Sequence, residues 1–347
     1  MRILVTGGAG FIGSAFIRRL IRETDADIVN LDKLTYAATP DALGEAAESP
    51  RYRFVRGDIC DRPLVDALIE ETTPDAVVHL AAESHVDRSI DGPAAFLETN
   101  VHGTFTLLEA VRRWRAGRRN EFRFHHVSTD EVYGSLGPDE PAFTEDSPYR
   151  PNSPYAASKA ASDHLVRSWG ETYGLPVIVT NTSNNYGPWQ FPEKLIPVMV
   201  IAARLGHPML VYGAGENVRD WLHVSDHAAA LWRVLTRGTP GRSYNIGGNS
   251  ERRNIDLVRH IAAIMDRLNP GGAPHDRLIT FVADRPGHDK RYAINGDRIY
   301  RELGWRPELT FEEGLDSTIA WYLEHETWWR AIRERRYGGE RLGVLGS

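Results

Sequence analysis

The stretch TGGAGFIG, residues 6–13, decides the fold of this chain of 347 residues. It follows the apolar run Ile3–Val5 and leads into an amphipathic stretch that starts at Phe11, which is the strand, turn and helix order of a dinucleotide-binding fingerprint. Glycines allow the tight turn and let a pyrophosphate approach the backbone amides at the helix N-terminus. An ordinary glycine-rich turn is the alternative, but such a turn needs neither the strand nor the amphipathic helix. The pattern therefore predicts dinucleotide-binding glycines at Gly7, Gly10 and Gly13.

Short apolar runs alternate with helical patterns in the first part of the chain. The strand-like runs are Ile3–Val5, Ile28–Leu31, Arg53–Val55, Ala76–Leu80, Phe122–Val127 and Val177–Thr180. The helical patterns are Phe11–Arg22, Pro63–Glu70, Val101–Arg112, Ala156–Tyr173 and Pro197–Leu205. This alternation predicts an α/β fold with a Rossmann-type, doubly wound parallel sheet that is covered by helices on both faces.

Beyond about residue 185 the rhythm changes to proline-bounded loops and further helical patterns, around Ser225–Leu235, Ile255–Leu268 and Phe311–Glu326. We predict one compact body with two lobes. Residues 1–185 form the dinucleotide-binding domain that carries the catalytic residues, and residues 186–347 mainly form a smaller α/β substrate-binding lobe. Some segments of the second part are expected to return to the first domain.

Composition excludes several classes of partner. The formal net charge of −6 argues against broad nucleic-acid binding, which usually needs a basic surface. Cys60 is the only cysteine, so no intrachain disulfide is possible, which fits a reducing cytoplasm. The chain starts without a signal-like segment, lacks an apolar stretch long enough to span a bilayer, and has no histidine pair at metal-ligand spacing. We expect a cytoplasmic protein without a membrane or a bound metal.

Carboxylates and small residues follow the predicted strands where such sheets bind ligands. Asp32 ends the second strand about 20 residues after the glycines, where a carboxylate accepts hydrogen bonds from ribose hydroxyls and repels a 2′-phosphate, so NAD is favoured over NADP. Asp58 and Ile59 follow the third strand and are candidates to hold the adenine edge, although Asp58 as a helix cap is an open alternative. Small residues in Leu80–Ser84 let the backbone pass close to the cofactor.

Tyr155 and Lys159 are four residues apart, so they share one face of a helix. A lysine ammonium near a phenol stabilises the phenolate and lowers the pKa of the tyrosine from about 10. Tyr155 is therefore predicted to act as the base that removes a hydroxyl proton while hydride leaves the same carbon for NAD.

The glycine spacing and this tyrosine-lysine pair resemble the extended short-chain dehydrogenase/reductase family over nearly the whole chain. Most members that only epimerise or oxidise lack the two acids that follow the fifth strand here, Asp130 and Glu131. An acid and a base beside one carbon chain are what elimination of water needs. The alternative is that both residues merely cap a turn.

The resemblance narrows to the dTDP-glucose 4,6-dehydratases through further stretches. These are STDEVYG (128–134), NNYGP (184–188), PEKLIP (192–197) and NVRDW (217–221), with HVDRS (85–89) and DRPGHD (284–289) in agreement. The match extends to about Trp329. One departure is ATPD at residues 38–41, where a Gly-Asn pair is expected, and it concerns the shape of the loop beside the adenosine.

The resemblance implies conversion of dTDP-glucose to dTDP-4-keto-6-deoxyglucose and water, in deoxysugar biosynthesis such as that of rhamnose or antibiotic sugars. Tyr155 would take the 4-hydroxyl proton as C4 gives hydride to NAD, while Thr129 hydrogen-bonds that oxygen. Glu131 would remove the C5 proton, and Asp130 would protonate the departing 6-hydroxyl. Hydride then returns to C6, so NAD stays bound through turnover.

The resemblance also implies the binding residues and a partner. Cofactor binding is expected at Gly7, Gly10, Phe11, Ile12, Gly13, Asp32, Lys33, Leu34, Thr35, Asp58, Ile59, Leu80, Ala81, Ala82, Ser84, Thr99, Tyr155, Lys159 and Asn185. Substrate binding is expected at Ser84, Thr129, Asn184, Glu193, Lys194, Leu195, Tyr212, Arg219, Asn254, Arg285 and His288. Without the family, Arg219 beside Asp220 reads as a surface ion pair. A homodimer is expected through a four-helix bundle made by Val101–Arg112 and Ala156–Tyr173.

Two other functions stay open at this point. One is another nucleotide-sugar enzyme of the same fold, either a 4-epimerase or a dehydratase for a different nucleotide, since the base cannot be read from the sequence. The other is a non-catalytic, NAD-responsive binding protein, which predicts damage to the acid pair or to the tyrosine-lysine pair. Both pairs are intact.

Overall fold

The computed structural model describes residues 1–118, 121–284 and 287–339. Its strands are β1 Arg2–Thr6, β2 Asp27–Asp32, β3 Tyr52–Arg56, β4 Ala76–His79, β5 Arg123–Thr129, β6 Val177–Thr182, β7 Asn184–Tyr186, β8 Met209–Tyr212, β9 Val218–His223, β10 Ser243–Ile246, β11 Glu251–Arg253 and β12 Ile279–Val282. A seven-stranded sheet has the order β10-β6-β5-β4-β1-β2-β3, and every neighbouring pair in it is parallel. The prediction of a Rossmann-type parallel sheet is confirmed.

Helices cover both faces of this sheet. They are α1 Phe11–Glu23, α2 Arg62–Thr72, α3 Val86–Asp91, α4 Ala94–Phe96, α5 Thr104–Arg115, α6 Pro154–Tyr173, α7 Leu195–Leu205, α8 Val224–Arg237, α9 Asn254–Leu268, α10 Asp297–Leu303, α11 Phe311–Glu324 and α12 Glu326–Arg335. Short 3-10 segments lie at Pro40–Glu48, Asp130–Tyr133, Pro270–Gly272 and His275–Leu278, and a π-helical turn at Leu97–Gly103 leads into α5. Among the described residues, no helix is long and apolar enough to cross a membrane.

Two apolar clusters hold the helices against the sheet. On one face, Phe16 of α1 and Leu231 of α8 pack with the inward side chains of β1 and β2. On the other face, Leu68 of α2 and Leu107 of α5 pack against β4 and β5. Every residue of β4 and of β6 is buried, which is expected for parallel strands that are covered on both sides.

A third cluster forms the core of a smaller lobe, where α7, α9 and α11 pack together around residues such as Met199, Val258 and Leu315. Two small sheets, β11-β9-β7 and β12-β8, border this lobe. The later part of the chain also contributes β10 to the edge of the large sheet and α8 to its face. The division at residues 185 and 186 stays a prediction.

The last predicted helix is interrupted. The pattern predicts one helix over Phe311–Glu326, whereas α11 ends at Glu324 and α12 begins at Glu326. His325 adopts φ −109° and ψ 38°, its Nδ1 is 2.9 Å from the carbonyl oxygen of Trp321, and its ring stacks on that indole at 4.3 Å between centroids. Helical geometry is therefore interrupted at His325, and α12 begins at the next residue.

Candidate active site

The glycine loop after β1 is close-packed against the exit of β4. Gly7 has φ +76°, and a Cβ atom there would lie 2.6 Å from the amide nitrogen of Ala81. A Cβ atom on Gly13 would lie 2.3 Å from the carbonyl oxygen of Gly7, which is far inside van der Waals contact. Gly10 caps the start of α1. The glycines therefore let the loop, the strand exit and the helix start meet closely enough to frame a site.

A cleft of about 310 Å³ opens at the carboxyl ends of the central strands. Its walls include these predicted site residues: Gly7, Gly10, Phe11, Ile12, Gly13, Asp32, Lys33, Thr35, Asp58, Ile59, Leu80, Ala81, Ala82, Ser84, Thr99, Thr129, Asp130, Glu131, Tyr155, Lys159, Asn184, Asn185, Glu193 and Lys194. The predicted cofactor residue Leu34 is not part of these walls. Its amide nitrogen instead donates to Oδ1 of Asp32 at 2.8 Å.

Asp32 holds the turn that ends β2. Its Oδ2 accepts from the amide of Ala9 at 2.9 Å, so the carboxylate joins the glycine loop to the second strand. Burial raises the pKa of Asp32, and the hydrogen bonds from Leu34 and Ala9 oppose the rise. The carboxylate is thus fixed in orientation at the edge of the cleft.

Lys33 and Asp58 form an ion pair across the ends of β2 and β3, with 2.5 Å between Nζ and Oδ2. Burial opposes ionisation of Asp58, but the hydrogen bonds from Lys33 and from the Cys60 amide hold its pKa below the ordinary value. The alternative of Asp58 as the cap of the next helix is wrong, because Asp61 caps α2 by accepting from the amide of Leu64.

Tyr155 and Lys159 lie on the first turns of α6, which the Ser153 side chain caps by accepting from the amide of Ala156. Nζ of Lys159 donates to the carbonyl oxygen of Val127 at 2.9 Å, and burial lowers the pKa of this lysine to about 8. The expected lowering of the Tyr155 pKa is wrong for this geometry. Burial and the charge of Glu131 raise it, with hydrogen bonding to Thr129 in opposition.

The acid pair follows β5 in the 3-10 turn Asp130–Tyr133. Thr129 caps this turn, because its Oγ1 accepts from the amide of Glu131 at 3.2 Å. Asp130 is buried, and its Oδ2 has no hydrogen-bond partner among the described residues. Burial, followed by the charges of Glu131 and Asp220, raises the pKa of Asp130 well above its ordinary value. Burial thus favours the protonated form of Asp130, and the fold does not use this residue as the cap.

A second cavity, of about 230 Å³, adjoins the cleft, and both share Glu131, Asn184, Glu193 and Lys194. Its walls also include the predicted substrate residues Leu195, Tyr212, Arg219, Asn254 and His288. Ser84 lines the cleft only, and its carbonyl oxygen accepts from Nζ of Lys194 at 3.1 Å. The predicted substrate residue Arg285 lies outside the described residues. Glu131 is thus placed where the two spaces meet.

Arg219 is buried, so the alternative of a surface ion pair with Asp220 is wrong. Its Nη2 donates to the carbonyl oxygen of Asp289 at 2.9 Å, and its guanidinium lies 4.3 Å from the ring centroid of Tyr292. Asp220 instead accepts from the amides of Gly248 and Ser250 at 2.8 and 2.6 Å. These contacts fix a positive charge in the wall of the second cavity.

Sequence reasoning missed the partners of Glu193. Its carboxylate accepts from Nε of Arg88 at 2.9 Å and from the hydroxyl of Tyr36 at 3.0 Å. It therefore ties together helix α3 and two loops that lie far apart in sequence. Two further wall residues, Tyr292 and Tyr337, were also not predicted. Arg88 lies inside the HVDRS stretch, residues 85–89, yet no local pattern pairs Arg88 or Tyr36 with Glu193.

The sheet and the site define an NAD-binding, nucleotide-sugar-modifying enzyme class, and the comparisons with known proteins agree. A family model described as GDP-mannose 4,6 dehydratase matches residues 4–318. The chain is 56% identical to a dTDP-glucose 4,6-dehydratase of Neisseria meningitidis over 99% of each protein, and 54% identical to one of Escherichia coli over 99% and 100%. The crystal structure of DesIV, a dTDP-glucose 4,6-dehydratase of Streptomyces venezuelae with NAD and TDP bound, superposes with a TM-score of 0.88 at 48% identity, covering 96% of this chain and 100% of that one.

This chain belongs to the GDP-mannose 4,6 dehydratase family, in the branch of its dTDP-glucose 4,6-dehydratase relatives. The predicted family, the enzyme class of an NAD-dependent hydro-lyase and NAD as the cofactor are confirmed.

Proposed function

We propose that this protein is a dTDP-glucose 4,6-dehydratase that forms dTDP-4-keto-6-deoxyglucose and water within deoxysugar biosynthesis. The observation that carries the proposal is the contrast inside the acid pair. Asp130 is buried with a strongly raised pKa, whereas its neighbour Glu131 is half-buried at the junction of the two cavities. One carboxyl group that burial favours in its protonated form, beside one that faces the substrate space, suits acid-base elimination of water.

The cofactor fits the cleft on geometric grounds. The crowding at Gly7 and Gly13 leaves the loop no side chain, so backbone amides at the start of α1 are open to a pyrophosphate. Asp32 at the end of β2 favours a ribose with free hydroxyls. When bound, NAD would accept and return hydride, and its oxidised form would add positive charge to the site. Lys159 and Asn185 complete the proposed cofactor contacts, and Asn185 is oriented by Nδ1 of His227, 2.9 Å from its Oδ1.

The residues divide the proton transfers among them. Tyr155 takes the 4-hydroxyl proton of the sugar, while the hydroxyl of Thr129 hydrogen-bonds the same oxygen. Burial and the charge of Glu131 raise the pKa of Tyr155, so the proposed deprotonation depends on positive charge that bound NAD would supply together with the ammonium of Lys159, which donates to Val127. Glu131 removes the proton at C5, which the 4-ketone acidifies, and Asp130 donates its proton to the leaving 6-hydroxyl. Glu131 then returns a proton to C5.

The second cavity receives the nucleotide half of the substrate. Arg219 and Lys194 offer positive charge to the diphosphate, and Arg suits this task because its fork binds phosphate oxygens in pairs. Asn254, whose Oδ1 is buried without a partner among the described residues, offers an acceptor to the nucleoside. The remaining proposed substrate contacts are Ser84, Asn184, Glu193, Leu195, Tyr212, Arg285 and His288.

We further propose a homodimer that forms through α5 and α6. Leu97, Phe105 and Tyr173 are 58%, 43% and 52% exposed on this side of the protein, and the ring of Phe105 lies 5.9 Å from that of Trp169. An exposed apolar patch of this kind marks an interaction surface. Phe105→Glu should yield a monomer by light scattering at micromolar concentration, whereas Phe281→Glu, at a 54% exposed phenylalanine on β12, should not. A monomeric unmodified protein would refute the dimer.

A cytoplasmic location completes the proposal, because a lone cysteine fits a reducing compartment and both ligands are cytoplasmic metabolites. Cell fractionation, with the protein detected in the soluble cytoplasmic fraction, tests it.

The deciding experiment is incubation of the purified protein with dTDP-glucose without added cofactor. Loss of the mass of one water, together with the alkali-induced absorbance of a 4-keto sugar, is the expected result. UDP-, CDP- and GDP-glucose serve as comparisons for the base. Turnover of another sugar nucleotide alone would change the substrate, and formation of a 4-epimer without loss of water would establish an epimerase. No reaction even with added NAD would leave a binding protein.

Glu131→Gln tests the proposed base. Elimination should fall by about 10² to 10⁴-fold, which is the usual contribution of a positioned general base, while NAD binding stays within a factor of two. Glu171→Gln, at an exposed position on α6, is the matched control and should keep full activity. Full dehydratase activity in Glu131→Gln would sink the assigned role.

A further inference from the structure

The chain forms a short strap after its last helix. We call Arg336–Gly339 the C-terminal strap. Its first two amides, of Arg336 and Tyr337, both donate to the carbonyl oxygen of Ile332, at 2.8 and 3.1 Å. Nη2 of Arg333 donates to the carbonyl oxygen of Gly338 at 2.6 Å. The strap is therefore held in one position by α12.

The strap contacts walls of both cavities. Nη1 of Arg336 donates at 2.8 Å to the carbonyl oxygen of Ala38, which lines the cofactor cleft. The ring of Tyr337 lies 6.4 Å from that of Phe191, another wall residue of the cleft, and both rings are buried together with Ile332. Tyr337 and Gly339 themselves line the second cavity. One segment of four residues therefore connects the cofactor side to the nucleotide side.

An ion pair between the buried Glu193 and the half-buried Arg88 lies next to the strap. The side chain of Glu193 is 2% exposed and binds Arg88, whose guanidinium lies 3.9 Å from the ring centroid of Tyr36 and 6.0 Å from that of Tyr337. The buried carboxylate of Glu193 is held in a narrow geometry, because loss of the half-buried Arg88 would leave its charge uncompensated. Glu193 and Lys194 belong to the walls of both cavities. The ion pair of Glu193 and Arg88 therefore supports the ring of Tyr337 beside the second cavity.

We propose that Tyr337 is a wall residue of the nucleotide pocket and that the C-terminal strap positions the nucleoside diphosphate of the substrate against Lys194 and Arg219. This rests on the proposed function, because it assigns the second cavity to a sugar nucleotide. The buried phenol ring and Gly339 form one part of the pocket wall. We expect Tyr337 to affect binding of the nucleotide half of the substrate and not the chemical steps. Tyr337, Phe191 and Ile332 are not among the proposed proton-transfer residues.

The expected signature is a split between KM and kcat. Tyr337→Ala should raise the KM for dTDP-glucose and the Kd for dTDP at least tenfold, with kcat within twofold of the unmodified enzyme. Tyr337→Phe should keep both constants within threefold, because the ring and not the hydroxyl forms the wall. Binding of dTDP is measured by titration calorimetry on the NAD-loaded protein, and turnover is measured with dTDP-glucose.

Ile332→Ala is the matched control. Ile332 belongs to the same buried cluster as Tyr337 and Phe191 but lines neither cavity. It should lower the unfolding midpoint at least as much as Tyr337→Ala does, and change the KM and the Kd for dTDP less than threefold. Equal effects of both variants on the Kd would show that packing alone is at work and would overturn the assignment, as would an unchanged Kd in Tyr337→Ala. Failure of the proposed function differs from both outcomes, because the unmodified protein would then not convert dTDP-glucose at all.

Discussion

Replacing Gly13 or Gly10 by alanine should separate two different uses of glycine in the same loop. A Cβ atom on Gly13 would lie 2.3 Å from the carbonyl oxygen of Gly7 and 2.7 Å from Cα of Gly8, and both are backbone atoms. Ordinary contact begins at 3.4 Å, so the loop and α1 must separate by about 1.1 Å. A Cβ atom on Gly10 meets only the oxygen of Gly7 at 3.2 Å, which a shift of a few tenths of an ångström relieves.

These distances give different energies. Forced overpacking typically costs about 1 to 3 kcal/mol, and alanine recovers up to about 1 kcal/mol through its higher helix propensity. Gly13→Ala should therefore destabilise the NAD-free protein by about 1 to 2 kcal/mol and distort the cleft as well. Gly10→Ala should change the stability of the NAD-free protein by less than about 1 kcal/mol, since Gly10 stands at the helix cap. Its methyl group enters the cleft that Gly10 lines, so it should still weaken NAD binding.

The assay is urea unfolding of the protein after removal of NAD, combined with calorimetric titration of NAD into each variant. Gly13→Ala should lower the unfolding midpoint and weaken NAD at least tenfold, which corresponds to about 1.4 kcal/mol. Gly10→Ala should keep the midpoint and lose affinity alone. Unchanged stability and affinity in Gly13→Ala would refute the packing argument, and unchanged affinity in Gly10→Ala would refute the placement of NAD against this loop.

The remaining predictions concern protons. Tyr155→Phe should abolish the initial NADH absorbance in a single turnover, and an undiminished signal would contradict its role as base. Asp130→Asn should be inactive in elimination yet more stable at neutral pH: the raised pKa means that folded Asp130 keeps a proton that the unfolded chain releases above pH 3.8, so stability falls as pH rises through this window. Urea unfolding of the unmodified protein and of the variant at pH 5 and pH 8 checks this. If neither protein changed in stability between the two pH values, the assigned burial effect on Asp130 would be contradicted. The buried carboxylate of Asp163 on α6 raises the pKa of Lys159, whereas burial lowers it. Asp163→Asn should therefore move the alkaline limb of the pH profile of sugar oxidation to lower pH, and an unmoved limb would exclude this effect.

The parts of the fold that the sequence predicted well are those set by local patterns. The glycine loop needs a strand before it and a helix after it, and β1 and α1 lie within two residues of their predicted ends. The tyrosine-lysine spacing likewise reports one helix face, and α6 provides it. Strand β10 was not predicted, because its four residues, Ser243–Ile246, are too few to show a periodic pattern. These residues form a strand through their parallel pairing with β6 at the edge of the large sheet.

The parts that the sequence could not give depend on contacts between distant segments. The acceptor of Lys159 is the carbonyl oxygen of Val127, which no side-chain pattern encodes. Glu193 looks like a substrate ligand in its motif, yet Arg88 and Tyr36, which are 105 and 157 residues away, bind both of its carboxylate oxygens. Pairings over such separations follow from the folded arrangement of loops and leave no periodic trace in the chain.

Burial supports different proposed proton-transfer roles for the adjacent carboxyl groups of Asp130 and Glu131. Asp130 and Glu131 have nearly equal acidity in an unfolded chain, so sequence alone cannot say which of them gives and which takes a proton. The 3-10 turn after β5 buries the side chain of Asp130, and burial and the charge of Glu131 raise its pKa. The other side chain stays at the junction of the two cavities. Exchanging the two environments would exchange the two proposed roles, so these roles depend on the geometry of the turn and not on the residue types. The double variant Asp130→Glu and Glu131→Asp should therefore keep some elimination activity only if the turn is preserved.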